Sequence, residues 1–205
     1  MTSRASRHDD WTATWEPMLA RIGTDLTDGE ATWGADPLER SAVRRYLEPL
    51  EFDCALHYDA DVARAHGFAD VTAPYTSVIT FTIPPMWEPG QHLFTCDDRD
   101  AQPATSPING DHLRLAPEVT GFFATDMELD FLRAPVVGER LGRRGSVLRS
   151  CVTKWTSVGR GAFMTLEAEV ITGDGDVVAR IRNTVFAYEP VGPPPDTGDS
   201  GEEPS

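Results

Sequence analysis

The sequence predicts an α+β domain in which helices come first and an antiparallel sheet comes last. Three observations carry this expectation. Apolar residues recur at helical spacing only in the first part of the chain, strict apolar–polar alternation begins near Phe123, and Gly173-Asp174-Gly175-Asp176 joins two alternating runs in the last part. At 205 residues, with 40% hydrophobic and 25% charged residues, the chain has room for one ordinary domain with appendages and composition enough for a core.

Trp11, Trp15, Met18, Leu19 and Ile22 share a helical face that ends near Gly23. Asp36-Pro37 supplies a capping residue and a first-turn proline, predicting a second helix through Val43, Tyr46 and Leu47 toward Pro49. A short helix is expected over Ala60 to His66, stopped by Gly67. The run from Ala73 to Ile83 has two readings. Its β-branched content favours a strand, whereas Pro74 at one end and Pro84-Pro85 at the other bound a buried helix that is apolar on nearly every side. Between Pro84 and Pro117 no period is sustained, which marks a long loop of either functional or merely variable kind. Met86, Trp87, Leu93 and Phe94 give that loop apolar area for a lid or a partner surface.

From Phe123 to Phe131 one face is apolar and the other carries Asp126, Glu128 and Asp130, predicting a half-buried strand. A turn over Arg133 to Glu139 leads to a long strand from about Leu141 to Trp155. Met164, Leu166, Ala168 and Val170 then alternate with Glu167 and Glu169, and the Gly-Asp turn leads into Val177, Ala179 and Ile181. The last three strands are thus an antiparallel meander.

A net charge of −15 disfavours nucleic-acid or anionic-membrane partners, which require clustered Lys and Arg. The tail after Pro190 holds Asp196, Asp199, Glu202 and Glu203 without a basic residue and is expected to be disordered. Cys54, Cys96 and Cys151 are odd in number and widely spaced, which suits a reducing compartment and no zinc site. The start of the chain has no apolar signal region, and no stretch approaches the roughly 18 apolar residues of a membrane helix. A cytoplasmic protein without a metal or redox cofactor is the expectation.

The segment Glu51 to Asp59 brings carboxylates and His57 together just before a helix. A His paired with Asp53 or Glu51 can take and return the proton of a water molecule, although a lone His is as well explained by a structural role. His66, His92 and His112 have weaker claims.

From about Asp36 to Pro190 the order of motifs resembles that of the MaoC-like dehydratases, in particular the subgroup similar to the dehydratase region of type I fatty acid synthases. The resemblance rests on Asp61-Val62-Ala63-Arg64-Ala65-His66-Gly67-Phe68, Ala73-Pro74, Met127-Glu128-Leu129-Asp130-Phe131 and Arg133-Ala134-Pro135-Val136-Val137-Gly138-Glu139-Arg140-Leu141. Lys154, Gly159-Arg160-Gly161, Phe163, Asp174-Gly175 and Val185-Phe186-Ala187-Tyr188 continue it. It implies a hot-dog fold, a curved antiparallel sheet wrapped around one apolar helix, here Pro74 to Ile83. It divides the chain into a helical extension (1–35), the hot-dog domain (36–190) and an acidic tail (191–205).

The resemblance also implies an activity: addition of water to, or its removal from, an enoyl thioester of coenzyme A or an acyl carrier protein. Its signature is Asp, any residue, Asn, Pro, an aliphatic residue and His. Leu56 and His57 match its end, but Phe52, Cys54 and Ala55 occupy the Asp, Asn and Pro positions, leaving Asp53 as the nearest carboxylate. The resemblance makes Pro74, Tyr75, Thr76 and Ser77 pocket residues, an alternative being that they only cap a helix, and Lys154 and Arg160 are candidates to meet the phosphates of the carrier, the alternative being solvated basic residues near a turn. A degenerate signature in this family fits a subunit that works beside a second hot-dog chain, and a homodimer is the alternative. Thioester hydrolysis and a non-catalytic acyl-binding role remain as other readings.

Overall fold

The computed structural model describes residues 11–103 and 116–191. Five strands form one antiparallel sheet: β1 (Ala31–Trp33), β2 (Gly121–Phe131), β3 (Leu141–Thr156), β4 (Gly159–Thr172) and β5 (Val177–Glu189), in the order β1-β3-β4-β5-β2. The meander β3-β4-β5 is as predicted, and β2 lies beyond it, paired with β5. Strand β1 was not anticipated, because three residues are too few to display a period.

The helical segments cover one face of this sheet. On β4, Ala162, Met164, Leu166, Ala168 and Val170 point to that face and are buried, together with Ala179, Ile181, Val185 and Ala187 of β5. Two apolar clusters fill it. Near the β1 end of β3, Leu38, Val43, Leu47, Ala73 and Val78 pack on Leu141, Val170 and Ile181. Farther along, Trp15 and Met18 pack on Leu148, Cys151, Met164 and Val185.

Each predicted helix forms with altered limits. The expected run from Trp11 to Ile22 is a 3-10 helix, Trp11–Trp15, followed by the short α1, Glu16–Leu19. Pro17 explains the break, since it lacks an amide proton and crowds the preceding turn. Helix α2 spans Arg40–Leu47 and starts later than Asp36-Pro37 suggests. Leu38 exchanges backbone hydrogen bonds with Glu139 and Gly138 at 2.8 Å and so stays extended. Helix α3 spans Ala60–Ala65, capped by the Asp59 carboxylate, which accepts from the amides of Asp61 and Val62. Gly67 follows at φ 89°, the left-handed conformation that its lack of a Cβ permits.

The largest correction concerns Pro74 to Ile83. The segment is helical rather than extended, but it forms two 3-10 turns, Tyr75–Ser77 and Thr80–Thr82, instead of one continuous α-helix. Its bonds run three residues apart, Ser77 to Pro74 and Thr82 to Ile79 among them. Ser77, Val78 and Thr82 are buried, whereas Tyr75, Thr76, Thr80 and Ile83 are exposed, so the segment is covered on one side only. Crowding by β-branched Thr, Val and Ile side chains disfavours regular α-helix, and nothing among the described residues encloses the second side.

Strand β2 departs from expectation in the same way. Met127 is 46% and Phe131 40% exposed, although both face the covered side, because β2 is the edge strand and nothing among the described residues pairs beyond it. The other face of the sheet is open and charged at one end, where Arg149 and Arg182 pair with Glu167, and Arg144 with Glu169. At the other end Phe163 and Tyr188 stack on Phe186 at 4.3 and 5.1 Å. Gly121 and Gly161 lie beneath Tyr188, where a Cβ would meet its ring or backbone within 2.7 Å.

Candidate functional site

The approach to the 75–82 segment is built by two backbone ladders. Ala73 donates to Pro135 and Val137 to Val71, which fastens the 71–73 strap to the turn before β3. Arg133 supports that turn through two hydrogen bonds to Glu139, and this contact raises the Arg133 pKa, burial opposing it. The opposite side of the strap holds the 3-10 turn Ala55–His57, because Thr72 donates to the Leu56 carbonyl.

His57 therefore sits where the strap leads into Pro74. Its Nδ1 lies 2.7 Å from the Thr72 carbonyl oxygen and 3.2 Å from the Thr72 hydroxyl. A carbonyl only accepts, so Nδ1 carries the proton in this contact. The ring is half-buried, and the Phe52 ring packs on it with centroids 5.7 Å apart. The residue that replaces the signature carboxylate thus contacts the histidine directly. Asp53 is exposed and bonds to no described residue.

Beyond the strap, Tyr75 is 44% exposed and its ring lies 5.4 Å from that of Phe131 on β2. Thr76 is exposed and accepts a hydrogen bond from the Tyr46 hydroxyl at 3.3 Å. Ser77 is fully buried, and its hydroxyl donates to the Pro74 carbonyl at 2.6 Å, which is the capping alternative. The amides of Tyr75 and Thr76 donate to no described backbone carbonyl, so both remain available at the start of the segment.

The structure thus brings His57, Pro74, Tyr75 and Thr76 to one region, but not Arg160. Arg160 lines a recess of about 270 Å³ with Trp11, Trp15, Glu118 and Glu189, ten residues along β4 from Val170. At about 3.3 Å per residue that is about 33 Å along the strand from Val170, which packs beside Ala73 and Val78. Lys154 stands opposite Gly161 and Arg160 opposite Trp155, so the two basic residues point to different faces and do not converge. His66 bonds to the Val62 carbonyl of its own helix, and His92 is exposed in the loop. His112 and the tail from 192 onward lie outside the described residues. Among the described residues there is no cluster able to hold a metal ion and no helix long and apolar enough to cross a membrane. What sequence reasoning missed is the strap itself: Thr72 positions His57 through its carbonyl, a role any residue can fill and no side chain announces.

Residues 22–181 match the family described as FAS1-like, dehydratase domain region, and the chain belongs to that family. A probable enoyl-CoA hydratase alpha subunit from Thermomonospora curvata is 25% identical over 173 residues, covering 84% of this chain and 51% of its own length. The chain therefore spans about half the length of that curated relative. A chain of the ChsH1-ChsH2 complex from Mycobacterium tuberculosis superposes with a TM-score of 0.63 at 23% identity, over 91% of this chain and 98% of that one. A MaoC-like dehydratase from Rhodospirillum rubrum gives 0.50 at 19% identity, over 82% and 100%. The sheet order and these likenesses define the hot-dog fold.

Proposed function

We propose that this chain is a component of an acyl-thioester hydratase or dehydratase, acting on an enoyl group carried by coenzyme A or phosphopantetheine. The carrying observation is His57, whose Nδ1 is held by the Thr72 carbonyl, two residues before Pro74. In hydration, Nε2 takes a proton from water as its oxygen bonds to carbon three, and the proton is returned to carbon two, which restores the neutral ring. The amides of Tyr75 and Thr76 are suited to the charge that develops on the thioester oxygen. No cofactor besides the substrate's own carrier enters this scheme, and three free cysteines accord with a cytoplasmic setting.

Phe52 against His57 favours a division of labour, in which the carboxylate comes from a second hot-dog chain. The exposed β2 edge, with Phe122, Met127 and Phe131 uncovered, suits such a partner, since pairing along an edge satisfies its backbone and covers its apolar side. The same observation supports a second reading, a subunit that shapes the acyl pocket while the partner performs both proton transfers.

The test follows a trans-2-enoyl-CoA by its enoyl absorbance and by thiol release, using this chain mixed with a second hot-dog subunit. Loss of absorbance without free thiol, abolished by His57→Ala, supports the hydratase reading. Activity indifferent to that substitution moves the catalysis to the partner, and thiol release would establish hydrolysis instead.

A further inference from the structure

The arginines on the long strands divide by face. Arg144, Arg149, Arg180 and Arg182 project from the open face, and each pairs with Glu128, Glu167 or Glu169 at 2.6 to 3.8 Å. Arg143 lies on the covered face, opposite Thr32 of β1 and Val170 of β4. Val170 and Leu141, its neighbours on that face, are fully buried. Arg143 is itself half-buried, yet its guanidinium makes no hydrogen bond or ion pair with any described residue. Burial depresses its pKa, and no nearby carboxylate opposes that effect.

A guanidinium in this setting is expensive, because desolvation penalises its charge without a compensating contact. Two register pairs away, and so on the same face, Thr172 stands opposite Leu141, and its hydroxyl is buried with no hydrogen-bond partner among the described residues. Thr32, directly across from Arg143, is exposed and keeps this edge of the sheet open to solvent.

We propose that Arg143 receives an oxyanion, a carboxylate or phosphate group of a bound ligand, at the β1–β3 edge of the covered face. The planar fork of donors matches either group with two parallel hydrogen bonds, and ligation supplies the missing counter-charge. Two sources share this chemistry: a carboxylate at the far end of an acyl chain, and the phosphates of a coenzyme A type carrier. The inference concerns binding alone and stands whether or not the chain hydrates enoyl thioesters.

The experiment is calorimetric titration of the full chain with glutarate and, separately, with coenzyme A, repeated on Arg143→Met and Arg143→Gln. Affinity for one probe is expected to fall at least tenfold in both variants, while their unliganded melting temperatures stay equal to that of the parent or rise. Glutarate as the responsive probe assigns the acyl carboxylate, and coenzyme A assigns the carrier. Binding of neither probe by the parent overturns the inference, as does equal binding by parent and variants. A fall in melting temperature in both variants would also overturn it, by giving Arg143 a structural role.

Discussion

Asp25 joins the N-terminal segment to β3 where the register against β4 shifts between Arg144 and Val147, and its removal offers a quantitative check on how that segment is held. Its Oδ1 accepts from the Thr27 amide at 3.0 Å, the Thr27 hydroxyl at 2.9 Å and the Ser146 amide at 2.8 Å, and its Oδ2 accepts from the Gly29 amide at 3.0 Å. At about 1 kcal/mol net per bond, with water restoring part of the loss at this half-buried site, Asp25→Ala should cost about 2–4 kcal/mol. That corresponds to a melting temperature about 4–16 °C lower. Asp25→Asn keeps the Oδ1 contacts and sets an amide group against the Gly29 N–H, costing about 1–2 kcal/mol. Burial pushes the Asp25 pKa up, but the hydrogen bonds from Thr27, Ser146 and Gly29 outweigh it, and the folded value lies below 3.8. A depressed carboxylate stabilises the fold above its unfolded pKa, and this contribution fades as pH falls through the folded value. The gap between parent and Asp25→Asn in urea unfolding should therefore be full at pH 7 and narrow toward pH 3. A gap unchanged across that range, or an Ala variant as stable as the parent, would show that Asp25 does not hold this segment to β3.

Three further outcomes follow from the packing. Gly161→Ala places a Cβ about 2.1 Å from the Ala187 carbonyl oxygen, so about 2–3 kcal/mol should be lost in urea unfolding, with loss of the near-ultraviolet signal of Tyr188 at lower denaturant. Burial pushes the Cys151 thiol up to about 11, so an aromatic disulfide reagent at pH 8 should titrate Cys54 and Cys96 and reach Cys151 only after unfolding. Met127→Lys, at an exposed position on β2, should change stability by no more than about 0.5 kcal/mol. It should nevertheless weaken association with a second hot-dog chain about tenfold in sedimentation, the equivalent of about 1.4 kcal/mol. Unaltered association would remove β2 from the interface.

Strands β2 to β5 were legible because alternation and a Gly-Asp turn are local signals, whereas the three residues of β1 show no period. Leu166, Ala168 and Val170 announce a buried face regardless of what covers it. Helix limits were less legible, since they depend on distant backbone partners: Leu38 is held by Glu139, a residue one hundred positions away in sequence. The 75–82 segment shows both limits. Its prolines mark where helical winding can begin and end, but whether β-branched residues complete α or 3-10 turns depends on how fully they are enclosed. At the site, His57 and its replaced signature could be read directly, whereas the support from Thr72 and the approach of Phe52 arise only in three dimensions. Arg143 was equally hidden, because an unpaired guanidinium is recognised by what its neighbours lack.

The backbone around the altered signature still suits the residues it has lost. Cys54 has φ −62° and ψ 118°, the extended region that a residue before proline adopts, and Ala55 opens a 3-10 turn with an amide that donates to no described carbonyl. Phe52 already contacts His57. The most direct measurement is therefore the rate of trans-2-enoyl-CoA hydration by the chain carrying Phe52→Asp, Cys54→Asn and Ala55→Pro together, with and without His57→Ala. A carboxylate restored beside a competent histidine should raise the rate about 10²–10⁴-fold over the parent chain alone, and His57→Ala should abolish the gain. A folded triple variant no faster than the parent, or a gain that survives loss of His57, would contradict the claim that this histidine is held ready for proton transfer and lacks only its carboxylate.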